Sequence, residues 1–319
     1  MCLKKLFKFR KIQEKKENKY VDADFVSINK EALTASIVLN NELNPNQKTI
    51  VANVNKDADK QDKKYISRVI AIANQKGGVG KSTTAVNMSS YLGALGYKTL
   101  LIDLDPQSNS TSGLGITRQQ ADKNIYDIHI SNEEPRNAIL KTQFNNLYII
   151  PSSIQLAGAE IELVPTLKRE YKLQHTIEKI KHDFDFIIID CPPALGLLTI
   201  NALTGAAEVL IPIQCEYYAL EGLGQLINTI NLVRENLNEK LIIAGVVMTM
   251  YDQRTKLSEQ VIDEVRTYFP DKVYNTIIPR NIRLTEAPSY GKPILEYDPA
   301  CKGAIAYKNL TKEVIGDGK

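Results

Sequence analysis

From Arg68 onward the chain alternates short β-branched runs with longer segments whose apolar residues recur every three or four positions, the sequence form of stacked βαβ units. The runs at 69–73, 99–104, 147–151, 186–190, 209–213, 241–250 and 273–278 are continuously apolar, which predicts strands covered on both faces. Helical spacing marks 82–95, 167–181, 220–237, 257–268 and 304–314. Together these predict the α/β class: a doubly wound, mostly parallel sheet with helices on both faces, forming a single domain over 67–319. Ligands in such sheets gather beyond the carboxyl ends of the strands.

Residues 1–66 break the pattern. They are basic as far as Tyr20 and then polar, with the stretches NNELNPNQKT and NKDADKQDKK, and only 35–39 is strand-like. A lone short strand buries too little to order itself, so 1–66 reads as a disordered extension. At its front, Leu3, Leu6, Phe7, Phe9 and Ile12 alternate with Lys4, Lys5, Lys8, Arg10 and Lys11. Membrane contact through a basic amphipathic helix at 1–12 is one reading; a disordered basic tail is favoured, because so short a segment anchors weakly.

Charge and composition narrow the classes. The 319 residues are 43% hydrophobic and 24% charged and contain no Trp, which is ordinary globular composition. Forty basic against 37 acidic groups give +3, but the first 20 residues hold eight basic and two acidic groups, leaving a net −3 for the remainder. Net charge alone therefore predicts no nucleic-acid partner. The longest apolar runs, 186–189 and 241–247, fall far short of the roughly 18 residues of a membrane-spanning helix. Cys2, Cys191, Cys215 and Cys301 are scattered and form no CxxC pair, so a cytoplasmic location is expected.

The chemistry is concentrated after the first predicted strand, in Lys76-Gly77-Gly78-Val79-Gly80-Lys81-Ser82-Thr83. Three glycines let backbone N–H groups turn inward around phosphate oxygens, and the following helix offers its positive end to the same anion. Lys81 is placed for the β- and γ-phosphates and the Ser82 hydroxyl for Mg²⁺. The match to G-x-x-x-x-G-K-[ST] is imperfect, since Gln75 occupies the first glycine position and a second lysine, Lys76, precedes the loop. Two further predicted strands end in carboxylates, Asp103 and Asp105 in one and Asp190 in the other. Either could be a solvated strand end; beside a phosphate loop, Asp105 is the candidate for orienting the attacking water, with Asp103 and Asp190 near the metal through water.

KGGVGKST, LIDLDPQSNSTSGLG, FIIIDCPPALGLLTINAL, IQCEYYALEGL and IPRNIRLTEAPSYGKPI, in this order, resemble the ParA/Soj family of DNA-partition ATPases, P-loop NTPases with a deviant Walker A motif, over about 69–314. The resemblance implies a Mg²⁺-dependent ATPase. It makes Lys76 the signature lysine, which crosses to the partner's nucleotide when two ATP-bound subunits close into a homodimer. It places Thr83 beside the α-phosphate, and Pro279 and Asn281 beside the adenine. It implies nonspecific binding of double-stranded DNA by the dimer through Arg254 and Arg283, nucleoid association, and release by a ParB-type centromere-binding protein that stimulates hydrolysis. Without the resemblance each arginine would read as a solvated surface residue.

Two other classes share the loop. A MinD-like membrane-associated ATPase would carry a membrane helix at the carboxyl end, and the terminal KEVIGDGK is too polar for one. An iron-protein reductase would use bridging cysteines, and Cys191 is the residue that raises the idea; its Cys-Pro-Pro setting matches the partition family instead. His129, His175 and His182 have no metal-ligand spacing and read as surface or core residues.

Overall fold

A computed structural model describes residues 67–216 and 222–316. The predicted extension at 1–66, with its tail at 1–12 and Cys2, lies outside the described residues. Eight strands form one sheet in the order β3-β4-β2-β5-β1-β6-β7-β8. They are β1 (Arg68–Ile72), β2 (Thr99–Asp103), β3 (Leu140–Lys141), β4 (Leu147–Ile150), β5 (Phe186–Asp190), β6 (Glu208–Gln214), β7 (Ile242–Tyr251) and β8 (Val273–Pro279). All neighbouring pairs are parallel except β3 with β4. The seven predicted strands are present; β3 was missed because two residues carry no readable period.

The helices, in chain order, are α1 (Lys81–Ala94), α2 (Asn109–Gly113), α3 (Ile125–Ile130), α4 (Leu156–Glu162), α5 (Lys172–Ile180), α6 (Leu197–Gly205), α7 (Leu223–Asn236), α8 (Lys256–Tyr268), α9 (Ile282–Glu286), α10 (Ile294–Tyr297) and α11 (Lys302–Ile315). One sheet face is covered by α1, α10 and α11, through Met88, Leu92, Ile294, Tyr307 and Leu310. The other is covered by α3 to α8, through Ile128, Ala159, Ile177, Ala202, Ile230 and Val265. Alternate residues of β1, Ile70 and Ile72 against Val69 and Ala71, enter opposite cores, as a strand's two-residue period requires.

α1 is buried along most of its length, from Thr84 to Gly93. It stops where Gly96 takes a φ of 97°, with Gly96 N–H donating to the Gly93 carbonyl (3.0 Å) and Tyr97 N–H to that of Leu92 (3.1 Å), a glycine-terminated C-cap. The hydroxyl of Tyr91 donates to the Ala304 carbonyl (2.8 Å), tying α1 to α11. The predicted helix at 167–181 is interrupted: Lys168 has a φ of 55° and a 3-10 turn at Arg169–Tyr171 precedes α5. α6 escaped the periodicity test because Leu198 to Thr204 are buried nearly all round, leaving no polar face to contrast with an apolar one.

Of the three histidines, His129 on α3 is in the core, 1% exposed, and neither ring nitrogen has a hydrogen-bond partner among the described residues. Burial, helped by the Lys172 charge, lowers its pKa to about 4. A depressed folded-state value keeps the full contribution above the unfolded pKa near 6.5 and loses it as pH falls toward 4. The loss is on the order of 3 kcal/mol. His129→Phe is expected to flatten the acid limb of stability in urea melts taken between pH 7 and 4; an unchanged limb would mean that other groups set it.

Candidate nucleotide site

The strand order decides what meets at the carboxyl edge. β5 lies between β1 and β2, so the loop after β1 and the carboxylates ending β2 and β5 are neighbours, with Asp103 opposite Asp190 and Asp190 opposite Ile72 in register.

Gly78 and Gly80 take φ values of 74° and 89°, which side chains disfavour. A Cβ on Gly77 or Gly78 would meet nothing within 4 Å, so backbone sign rather than crowding calls for glycine at 78. Two side chains brace the loop. Asn74 donates to the Pro212 carbonyl on β6 (2.7 Å) and accepts the Lys76 N–H (2.9 Å), and the Thr249 hydroxyl on β7 donates to the Val79 carbonyl (2.9 Å). Neither was identified from sequence. Asn74 adjoins the motif and was accessible to a closer reading; Thr249 is brought in only by the β6–β7 pairing.

Lys81 is 5% exposed and its ammonium donates to the Lys76 carbonyl (3.0 Å). Burial lowers its pKa, while the nearby Asp190, Cys191 and Asp105 oppose the shift. Asp103 is fully buried and accepts from the Thr111 N–H (2.8 Å), the Thr111 hydroxyl (2.7 Å) and the Asp105 N–H (3.2 Å). Burial, and then the Asp190 charge, pushes its pKa up. Asp190, equally buried, accepts the Ser110 hydroxyl on Oδ2 (2.7 Å). Burial raises its pKa, and the Ser82 and Ser110 hydroxyls pull it back. Asp105, 5% exposed, accepts the Gln107 N–H (2.9 Å), an Asx turn that fixes the loop after β2. Ser110 and Thr111, on α2, were not singled out from sequence either.

This donor set suits Mg²⁺. Asp190 Oδ1 is buried without a hydrogen-bond partner among the described residues, and Ser82 is close enough to act on the same carboxylate. Hard oxygen donors, few of them from protein, are what Mg²⁺ takes when phosphates and water complete its shell. Among the described residues no cluster of three His, Cys, Asp or Glu side chains competes as a metal cage.

Lys76 stands on the rim, its ammonium 3.9 Å from Glu216 Oε2 and its side chain 34% exposed. Glu216 is held by Gln214 Nε2 (2.6 Å) and Arg280 (3.2 Å). Thr83 is half-buried in the first turn of α1, its carbonyl accepting from Asn87 Nδ2 (2.8 Å). Pro279 ends β8, and Asn281 caps α9 by accepting the Arg283 N–H (2.8 Å). They share the carboxyl edge with the loop but lie three strands away, roughly 14 Å at about 4.8 Å per strand. Arg254 and Arg283 are exposed just beyond the adjacent strands β7 and β8. Cys191 and Cys215 are buried free thiols, and burial raises the pKa of both. No helix among the described residues is long and apolar enough to cross a membrane.

A family model described as an AAA domain matches residues 67–243. The chain is 56% identical over 253 residues to the sporulation initiation inhibitor protein Soj of Bacillus subtilis, covering 79% of this chain and 100% of Soj. It is 52% identical over 250 residues to the chromosome partitioning protein ParA of Caulobacter vibrioides, covering 78% and 94%. Its fold is similar, with a TM-score of 0.72 and 37% identity, to cobyrinic acid a,c-diamide synthase from Mycobacterium smegmatis bound to an ATP analogue and magnesium, over 80% of this chain and 96% of that one. With more than half of the aligned positions shared along the full length of Soj, the chain belongs to the ParA/Soj family of partition ATPases.

Proposed function

We propose that this protein is the ATPase of a plasmid or chromosome partition system, in which 67–319 forms the ATPase domain and 1–66 an extension. ATP and Mg²⁺ bind at the glycine loop, two loaded subunits close face to face, and only the pair is retained on DNA. The observation that carries the reading is the meeting of Lys81, Ser82, Asp105 and the half-satisfied Asp190 around one left-handed glycine turn. The loop N–H groups and Lys81 hold the phosphates, and Thr83 contacts the α-phosphate. Pro279 and Asn281 flank the base at the distance their strand sets. Ser82 would hold Mg²⁺ directly, with Asp103 and Asp190 reaching it through water. The ion supplies neutralisation of the charge on the β- and γ-oxygens. Asp105 orients the attacking water.

Lys76 gives the pairing its dependence on the triphosphate. On the rim it faces Glu216 at 3.9 Å, a weak exposed pairing that a partner's phosphates replace at little cost. A second feature supports face-to-face closure: Ile154, Ile161, Val164 and Leu167, 58% to 91% exposed, follow β4 at the same edge as the loop. Apolar surface concentrated in this way is what an interface buries. The Glu160 carboxylate, on α4 within that stretch, accepts the Leu198 N–H (3.3 Å) at the start of the helix that follows Asp190, linking patch to site. Lys76→Ala is expected to bind ATP within about threefold of wild type yet remain a monomer at saturating ATP in light scattering. Normal dimerisation of that variant would remove Lys76 from the partner's site.

DNA binding through Arg254 and Arg283 would go to phosphates, weaken steeply with salt and read no sequence. A ParB-type protein is proposed as the partner that stimulates hydrolysis, and a cytoplasmic, nucleoid-associated location follows. The last described helix does not favour the MinD-like alternative. α11 buries Ala304, Tyr307, Leu310 and Val314 against the sheet.

A further inference from the structure

Each arginine assigned to DNA already holds a carboxylate of its own chain. Arg254 grips Asp252 with one edge of its guanidinium, Nε to Oδ1 at 2.9 Å and Nη2 to Oδ2 at 2.6 Å, while its own N–H also donates to Oδ1 (3.0 Å). Arg283 pairs with Glu286 (2.9 Å) and Asp298 (3.4 Å). Arg280, between them in sequence, pairs with Glu216 (3.2 Å). Three arginines at this edge are thus matched by four carboxylates, with only exposed lysines such as Lys256 and Lys292 left over. The arginine charge of the patch is thus answered locally although the arginines are exposed, and Lys256, Lys292 and Lys76, which shares Glu216, leave a small positive excess.

The geometry of its pair leaves the outer N–H groups of Arg254 toward solvent. In Arg254 the Nη1 side of the fork is free, and its side chain is 86% exposed against 22% for Asp252. A phosphate can therefore approach the arginine without first breaking the pair, but it meets a charge already answered.

We infer that Asp252, together with Glu286 and Asp298, sets the DNA affinity of one subunit below the level needed for retention, so that holding DNA requires the two patches of a dimer. The inference rests on the DNA reading of Arg254 and Arg283. Two weak sites on one rigid body multiply their affinities, whereas two strong sites would hold DNA as separate subunits. Nucleotide control of dimerisation becomes control of DNA binding only if the single patch is weak. The carboxylates supply that weakness without removing the arginines.

Asp252→Asn isolates the charge. Asn keeps the Oδ1 acceptor for the Arg254 N–H and Nε–H but puts an amide donor in place of Oδ2, so the backbone turn is kept while the Nη2 bond and one negative charge are lost at each patch. By anisotropy of a fluorescein-labelled duplex at fixed salt, the full-length variant with ATP is expected to bind about three- to tenfold more tightly than wild type. With ADP, the Asp252→Asn, Glu286→Gln double variant is expected to show DNA binding where wild type shows little. The control is the Arg254→Glu, Arg283→Glu variant. If it loses DNA while Asp252→Asn binds no tighter than wild type, the carboxylates do not set affinity and the inference is overturned with the DNA reading intact. If the control binds DNA normally, the arginine assignment itself falls, and the inference with it.

Discussion

Lys81→Ala is expected to weaken ATP binding by about 30- to 5,000-fold and to abolish turnover, the largest single-residue effect expected in this protein. The ammonium sits in a site where burial already depresses its pKa, so little water screens its attraction for phosphate. Truncating one member of such a desolvated charge pair costs roughly 2–5 kcal/mol, about 30- to 5,000-fold. The change also removes the positive charge that holds down the pKa of the buried Asp190 carboxyl, which then rises further. A circular-dichroism melt beside a fluorescent-nucleotide titration separates the two effects. A folded variant that still binds ATP near wild-type strength would displace Lys81 from the phosphate site.

Asp105→Ala is expected to lower turnover by about 100- to 10,000-fold while sparing ATP binding, because the role proposed for the group is on the water and not on the nucleotide. An enzyme that closes but does not hydrolyse should accumulate as the ATP-bound dimer and stay on DNA through a salt wash that clears ADP-bound protein. Alanine also deletes the Asx turn to the Gln107 N–H, so the informative companion is Asp105→Asn, which keeps that acceptor and loses only the charge. If Asn behaves as Ala does, the carboxylate is the active feature. If Asn turns over normally, Asp105 merely shapes the loop.

The two variants differ in which stage of the proposed cycle they block, and the arrangement of strands explains why one site can separate them. Lys81 belongs to the loop after β1 and Asp105 to the loop after β2, with Asp190 on the intervening strand. On this proposal phosphate binding and water positioning come from different connections of one sheet, so either would fail alone.

The glycine loop was legible because its spacing is local: strand, turn, lysine, hydroxyl and helix all lie within about twenty consecutive residues, and left-handed φ at Gly78 and Gly80 leaves a mark in composition. The central strands were equally plain, since burial on both faces writes an uninterrupted apolar run. Short helices were not, because α2, α9 and α10 span five residues or fewer and cannot display a period. Nor were the contacts made across the chain. Thr249 bracing Val79, Glu160 at the helix after Asp190, and Asp298 beside Arg283 look like ordinary residues in a linear reading.

The order of residues alone thus determined the fold class and the glycine loop, and put forward Asp103, Asp105 and Asp190 as candidates, all of which depend on patterns within one element. Only the folded chain decided which strands are neighbours, that Asp190 stands between the loop and Asp103 with one oxygen unanswered among the described residues, and that Asp298 stands beside Arg283. Those facts depend on distances between elements far apart in the chain, which hydrophobic packing of the whole sheet fixes and no local pattern encodes.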